Sequence, residues 1–289
     1  MRTFVKELKW GKFILLRGDM ISNYASNYGE WCEVEVELYR TLLSENSNII
    51  EIGANIGLHT IPLSRICSKG KVICFEPQPP IFNMLCGNLA LNNILNVIPY
   101  NKAVGNACGI IEIPVSSYDK PWNYGSFSIE NGFNREGVYD SPAQPSPAQP
   151  LDIIAIDSLG ELKTNKIDFI KIDVEGYELN CLHGAKNIIS RDLPVIFCEA
   201  IDSDVTNNVV IYLKGFGYDG YWFISNRYRI DNFFACPNQM YHGLSYDVNI
   251  IFIHKSDVDL SRMLSRDKLI KFSHYGQLED GIPILSSYP

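Results

Sequence analysis

No stretch of the 289-residue chain approaches the roughly 18 consecutive apolar residues that a membrane-crossing helix needs. Nor do residues 1–12 hold the unbroken apolar core of a signal peptide, because charged residues interrupt them. The expected location is the cytoplasm, with peripheral contact to a membrane-bound machinery left open. Positive charge is in short supply: 25 Lys and Arg stand against 33 Asp and Glu, for a net charge of -8. That disfavours the broad basic surface with which proteins hold nucleic acid. No C-x-x-C pair occurs among Cys32, Cys67, Cys74, Cys86, Cys108, Cys181, Cys198 and Cys236. Most lie inside apolar runs, so they read as small buried hydrophobes, not as a zinc site or a disulfide frame. The signature of disorder is missing too, since 46% of residues are hydrophobic and 20% charged. The length suits one large domain with a small appendage.

Short apolar runs do occur, at 48–53, 71–76, 97–101, 167–173 and 195–199. Between them, 58–67, 81–91, 178–189 and 205–213 carry apolar residues at helical spacing. This alternation predicts an open α/β fold, a parallel sheet covered on both faces. The pattern then changes: 218–225 and 248–254 read as strands with no helix between them, which predicts an antiparallel pair at one sheet edge. Upstream, 30–43 reads as a helix capping the sheet, with an acidic face (Glu30, Glu33, Glu37) and an apolar one (Trp31, Val34, Leu38, Leu42). Residues 141–150 repeat SPAQP twice and predict an exposed polyproline-like loop. The expected organisation is an N-terminal cap segment at 1–47, a catalytic domain at 48–255, and a C-terminal helix and tail at 256–289.

The first strand-to-helix junction reads Glu51-Ile52-Gly53-Ala54-Asn55-Ile56-Gly57. Glycines there allow close backbone approach to a ligand, and free N–H groups of the following helix favour an anionic group. The dinucleotide fingerprint G-x-G-x-x-G fails, because Asn55 and Leu58 occupy its second and third glycine positions. An NAD-linked dehydrogenase is therefore disfavoured. Standing alone, the motif would read as a tight packing turn. Glu76, however, ends the second strand beside that turn, where a carboxylate suits a ribose diol. The run Ile167-Asp168-Phe169-Ile170-Lys171-Ile172-Asp173-Val174-Glu175-Gly176-Tyr177-Glu178 is the sharpest feature. Period-two alternation puts Lys171 and Asp173 on one side of a strand, and Asp173 and Glu175 arrive at its carboxyl end over the same cleft. A charge placed in a parallel strand is costly, which favours function over a structural ion pair, whereas Glu178 reads as a helix-dipole residue.

EIGANIG, FEP, the NLALNN helix (88–93) and IDFIKIDVEGYE, in this order, resemble the FkbM family of S-adenosylmethionine-dependent methyltransferases. The resemblance covers 48–200 closely, and the segment 29–38 and the aromatic region after 220 are also similar to some members. It implies a class I methyltransferase (Rossmann-like) fold, with seven strands in the order 3-2-1-4-5-7-6, strand 7 antiparallel, and helices on both faces. It also implies that Glu51, Gly53, Ala54, Asn55 and Gly57 hold the methionine part of the cofactor, Glu76 the ribose, and Ala103 and Val104 the adenine. Members commonly methylate a hydroxyl, often on a sugar or a polyketide. The SPAQP insertion and His59 depart from the family pattern and bear on the substrate.

A hydroxyl acceptor must lose its proton as the new bond forms, which calls for a base. Asp173 is the first choice, Glu199 the second and His242 the third, with Lys171 orienting the carboxylate or stabilising the developing alkoxide. A divalent metal held by Asp173, Glu175 and Glu199 is the less favoured way to lower the acceptor's pKa. Tyr118, Trp122, Tyr124, Phe127, Phe233, Phe234 and above all Tyr221 and Trp222 offer aromatic faces for an acceptor, though aromatics on edge strands are also normal packing. Glu175 and His242 join Tyr221 and Trp222 as expected acceptor contacts. The absence of an Asn/Asp-Pro-Pro-aromatic motif at 173–176 argues against a nitrogen acceptor. A binding protein of the same fold without catalysis is the non-enzymatic alternative, and oligomeric state is not legible.

Overall fold

A computed structural model describes residues 3–114, 118, 120–129, 132, 148–162, 164–237, 246–267 and 269–288. The chain opens with a hairpin of β1 (Thr3–Leu8) and β2 (Gly11–Leu16), followed by α1 (Met20–Tyr28) and α2 (Glu33–Leu42). Asp19 caps α1, its Oδ2 accepting the Ser22 N–H at 2.7 Å, and Gly29 closes the helix at φ 78°. Then come β3 (Ile49–Ile52), α3 (Thr60–Ile66), β4 (Val72–Phe75), α4 (Pro79–Leu91) and β5 (Val97–Tyr100). A three-stranded sheet follows, of β6 (Ala103–Val104), β7 (Gly109–Pro114) and β8 (Ala148–Ile154). The remainder is β9 (Phe169–Ile172), α5 (Glu178–Gly184), α6 (Lys186–Asp192), β10 (Val195–Glu199), α7 (Ser203–Gly215), β11 (Tyr218–Asn226), β12 (Tyr246–His254) and α8 (Val258–Arg266).

The main sheet runs β11-β12-β10-β9-β3-β4-β5, with β12 antiparallel to both neighbours and the strands from β10 to β5 mutually parallel. Every residue of β3, β4 and β9 is buried, as both-face coverage requires. Alternation sorts them: Ile50, Ile170, Ile172 and Ile196 pack with Leu182, Ile189 and Val209 from α5 to α7. Ile49, Phe169, Phe197 and Ile251 face the other way, onto Val34, Leu38 and Tyr39 of α2 and Leu63 of α3. The α/β sheet and its antiparallel edge pair therefore stand where the hydrophobic pattern puts them.

Three expectations need correction. The helix expected over 30–43 starts only at Glu33, and Glu30 and Glu33 of its acidic face are buried, at 5% and 2% exposed. The N-terminal hairpin covers them: Lys9 Nζ lies 3.0 Å from Glu33 and 3.6 Å from Glu30, and the Trp10 indole N–H donates to Glu33 at 2.9 Å. The helix expected over 178–189 is broken at Ala185, after Gly184 packs so closely that a Cβ there would stand 2.0 Å from the Gly105 carbonyl oxygen. Of the SPAQP repeat, Ala148, Gln149 and Pro150 belong to β8 and pair with Pro114, Ile113 and Glu112. Pro150 is tolerated because β6 reaches only Ile153 and Ile154, leaving that side of β8 an edge. Residues 141–147, and His242, lie outside the described residues. The eight cysteines are free thiols, and no described helix is long and apolar enough to cross a membrane.

Candidate active site

A cleft of about 890 Å³, open to solvent, lies over the carboxyl ends of β3, β4, β9 and β10, the position at which open α/β sheets bind ligands. Glu51, Gly53, Ala54, Asn55, Glu76, Lys171, Asp173, Glu175 and Glu199 all line it. Met20 and Ile21 of α1, with Asn123, Gly125, Phe127 and Ile129, form the opposite wall. That wall is tied to α1 by backbone: the Met20 N–H donates to the Trp122 carbonyl at 2.9 Å and the Trp122 N–H to the Gly18 carbonyl at 3.0 Å.

On the β3–β4 side two carboxylates are prepared for a ligand. Glu76, 3% exposed, accepts the backbone N–H of Asn55 on Oε2 (3.0 Å) and that of Gln78 on Oε1 (2.8 Å). Both oxygens are thereby fixed in orientation and each keeps a lone pair. Glu51, 1% exposed, accepts the Thr60 hydroxyl on Oε2 at 2.6 Å, while its buried Oε1 has no hydrogen-bond partner among the described residues. The two glycines of this turn have different surroundings. Gly53 has φ +87°, and a Cβ on it would stand 1.9 Å from the carbonyl oxygen of Asp173. The residue is small so that the turns after β3 and β9 can touch. Gly57, at φ +89°, leaves room for Leu85 of α4 and does not line the cleft. Ala103 and Val104 also sit apart from the lining: they form β6, pair with Ile153 and Ile154, and are 1% and 2% exposed. Their packing in the small sheet accounts for their size.

On the β9–β10 side, Lys171 is 2% exposed and its Nζ donates to Asp173 Oδ2 at 2.9 Å. Burial alone would lower its pKa, but the carboxylates of Asp173, Glu51 and Glu35 more than offset that and raise it, so the ammonium stays charged. Glu175 is held at φ 56°. The turn carrying it is closed from below by Glu178, whose Oε1 accepts the N–H groups of Gly176 (3.0 Å) and Val174 (3.3 Å). Glu178 thus shapes the turn in addition to opening α5. Glu199 comes from the end of β10; burial, then the charges of Glu175 and Asp173, push its pKa well above the usual carboxylate range. Oxygens of Asp173, Glu175 and Glu199 all lie within 4.8 Å of one another.

The aromatic expectation fails for β11. Tyr221 and Trp222 are 5% and 1% exposed and line no part of the cleft. Trp222 packs on Phe272 and Tyr275 and donates its indole N–H to Gln277 at 3.0 Å, because the C-terminal tail covers that face of the sheet edge. Tyr118, Trp122 and Tyr124 are core as well, whereas Phe127 lines the cleft. Phe233 and Phe234 are exposed at 50% and 36%, away from it. Trp31 and His59 complete the wall together with Arg227 and Asp247, which the sequence did not single out. His59 is neutral, since burial and then the Lys171 charge lower its pKa to about 3. Behind it Glu35 accepts from Tyr39 (3.0 Å) and Asn249 (3.1 Å), and burial, then the charge of Asp247, push its pKa up to about 8. The hint was available: E-V-E-V-E at 33–37 puts Glu35 on the side of α2 opposite to Glu33 and Glu37.

These buried acids set a pH dependence. Burial raises Glu51, Glu76 and Glu178 from the ordinary 4.5 to about 7. The folded state therefore keeps protons that the unfolded chain has released. The associated stability is fully present below about pH 4.5 and is lost as the pH rises through about 7. Without ligand, Tm is expected to fall between about pH 5.5 and about pH 8 in calorimetric scans. A flat or rising Tm over that interval would show that these groups are ionised without penalty.

Over residues 51–219, more than half of the chain, the sequence matches the methyltransferase FkbM domain. "Methyltransferase sdnD" of Sordaria araneosa is 26% identical over 194 residues, covering 59% of this chain and 74% of that protein. "Hexuronic acid methyltransferase AglP" of Haloferax volcanii is 29% identical over 160 residues, covering 54% and 58%. Among solved structures, methyltransferase FkbM from Methylobacillus flagellatus superimposes with a TM-score of 0.45 at 19% identity, covering 74% of this chain but 47% of that one. By the extent of the domain match, the chain belongs to the FkbM methyltransferase family and is a methyltransferase of that family.

Proposed function

We propose that the protein transfers a methyl group from S-adenosylmethionine to a hydroxyl oxygen of a sugar or glycosylated metabolite. The observation that carries this reading is the division of one cleft between two kinds of carboxylate. Glu76 and Glu51 stand ready on the β3–β4 side, and Asp173 with its buried lysine stands on the β9 side.

The residues present fit the cofactor. Glu51 Oε1 is a buried acceptor with no partner among the described residues, which suits a ligand ammonium group. Glu76, its oxygens oriented by two backbone N–H groups, suits a ribose diol. When bound, the cofactor supplies an electrophilic methyl group on a cationic sulfur. The protein's own work is then alignment, exclusion of water and removal of one proton. Ile21, Leu58, Phe127 and Ile129 give the cleft apolar walls. Asp173 accepts the proton of the acceptor hydroxyl, and the buried Lys171 holds that carboxylate in place. Glu199, with its raised pKa, serves less well as a base at neutral pH because it holds its proton. The relative named as a hexuronic acid methyltransferase supports a sugar as the acceptor class and does not bear on the charge of this chain's acceptor.

The test is transfer of a labelled methyl group from S-adenosylmethionine to a panel of hydroxylated glycosides, with the product's linkage determined by NMR. Label on oxygen is expected; label on nitrogen, or none from protein that binds the cofactor, would contradict the reading.

A further inference from the structure

We propose that the Arg227–Asp247 pair sets the charge class of the acceptor, admitting an uncharged hydroxyl-bearing ring and disfavouring one that carries a carboxylate. The inference rests on the O-methyltransferase reading and adds to it a specificity determinant.

The topology puts the pair on the acceptor's side. Because β12 runs antiparallel to β10, its first residues project over the sheet end where the parallel strands finish: Asn249 pairs with Glu199, and Asp247 lies two residues further out. Arg227 follows directly on β11. Both residues line the cleft beyond β9 and β10, across from Glu51 and Glu76 on β3 and β4. The guanidinium is held on one edge. Its Nε donates to Asp247 Oδ1 at 2.8 Å and Nη2 donates to the same oxygen, while Cys32 Sγ donates to Oδ2 at 2.9 Å. The guanidinium also lies 5.7 Å from the ring centre of Trp31. Nη1 has no hydrogen-bond partner among the described residues, and the side chain keeps 20% of its surface exposed.

A guanidinium fixed this way offers two N–H donors of set direction. Its charge is already balanced by Asp247, so the pair orients an oxygen without supplying net positive potential. The other cation of the cleft, Lys171, is buried and committed to Asp173. Nearby, the carboxyl groups of Asp173, Glu175 and Glu199 crowd within 4.8 Å. A neutral polyol can donate to those oxygens and accept from Nη1. A uronate brings a further negative charge into the field that already raises Glu199, a field to which Asp247 itself contributes. An ion pair that merely stapled β11 to β12 would affect stability and leave charge selectivity unmoved.

The experiment is saturation-transfer NMR on the full chain loaded with S-adenosylhomocysteine, using methyl glucoside, methyl galactoside and methyl glucuronide as probes. The neutral glycosides are expected to bind and the glucuronide to bind about tenfold more weakly or worse. Arg227→Lys, which keeps the charge but loses the planar fork, is expected to weaken the neutral glycosides about fivefold without changing homocysteine-cofactor affinity. Asp247→Asn, which leaves the guanidinium uncompensated, is expected to narrow or invert the discrimination against glucuronide. Equal or tighter binding of glucuronide by the wild type would overturn the proposal. So would unchanged selectivity in Asp247→Asn, or a loaded protein that ignores all three probes. Failure of the wild type to take up S-adenosylhomocysteine would instead overturn the cofactor reading, and this one with it.

Discussion

Asp173→Asn is expected to lower kcat by about 10²- to 10⁴-fold while leaving the cofactor's Kd within about twofold. The substitution preserves the size of the side chain and an oxygen that can still accept from Lys171 Nζ, now 2.9 Å from Oδ2. What it removes is the ability to take a proton. Asp173 is suited to that task because its side chain is 43% exposed, whereas its partner's is 2% exposed. The lysine is thus the buried anchor and the carboxylate the group presented to the cleft. The comparison that decides between bases is Glu199→Gln under the same assay. A large loss of kcat in that variant beside a small one in Asp173→Asn would move the base to β10.

Lys171→Met is expected to destabilise the fold by about 3–5 kcal/mol, read from urea unfolding, in addition to abolishing turnover. Lys171 sits on the central strand β9, in register with Glu51 on β3 and Phe197 on β10, so it is enclosed on both sides by backbone. Its charge faces Asp173, Glu51 and Glu35. Methionine fits the stem but leaves these carboxylates uncompensated in a region poor in water. The pKa values of the buried Glu51 and Glu35 then rise further, and the loss of stability between about pH 5.5 and about pH 8 becomes steeper than in the wild type. A Lys171→Met protein with wild-type stability would mean that the acids are already protonated and that the ion pair is of local significance only.

How much was legible in the sequence divides along physical lines. The central strands were, because burial on both faces writes a continuous apolar run such as 49–52 or 169–172 that an exposed element cannot imitate. Glu76, Asp173 and Glu199 were, because a charge at the end of such a run marks the sheet's carboxyl edge. The reason for Gly53 was not: its missing Cβ makes room for the Asp173 carbonyl, a contact between positions 120 residues apart in the chain. Trp222 was misplaced because nothing in its own strand announces that Phe272 and Tyr275 return to cover it, and Tyr221, on the opposite face, is buried in the cluster that holds Leu264 and Tyr288. Arg227 and Asp247 were invisible for a related reason, since they meet only after the edge hairpin has set Ser225 opposite Asp247. The role of the N-terminal hairpin in burying Glu33 was not legible, because it depends on Lys9 and Trp10 at the hairpin's turn meeting a helix more than 20 residues later.

The measurement that tests the central claim most directly is isothermal titration of the purified chain with S-adenosylmethionine and S-adenosylhomocysteine, with NADH as the control and Glu76→Ala beside the wild type. The structure predicts that both sulfur compounds bind, that NADH does not, and that Glu76→Ala weakens the binding by about tenfold or more through loss of the two-oxygen acceptor. Absence of binding by the sulfur compounds, binding of NADH in their place, or a Glu76→Ala protein that binds as tightly as the wild type would contradict it.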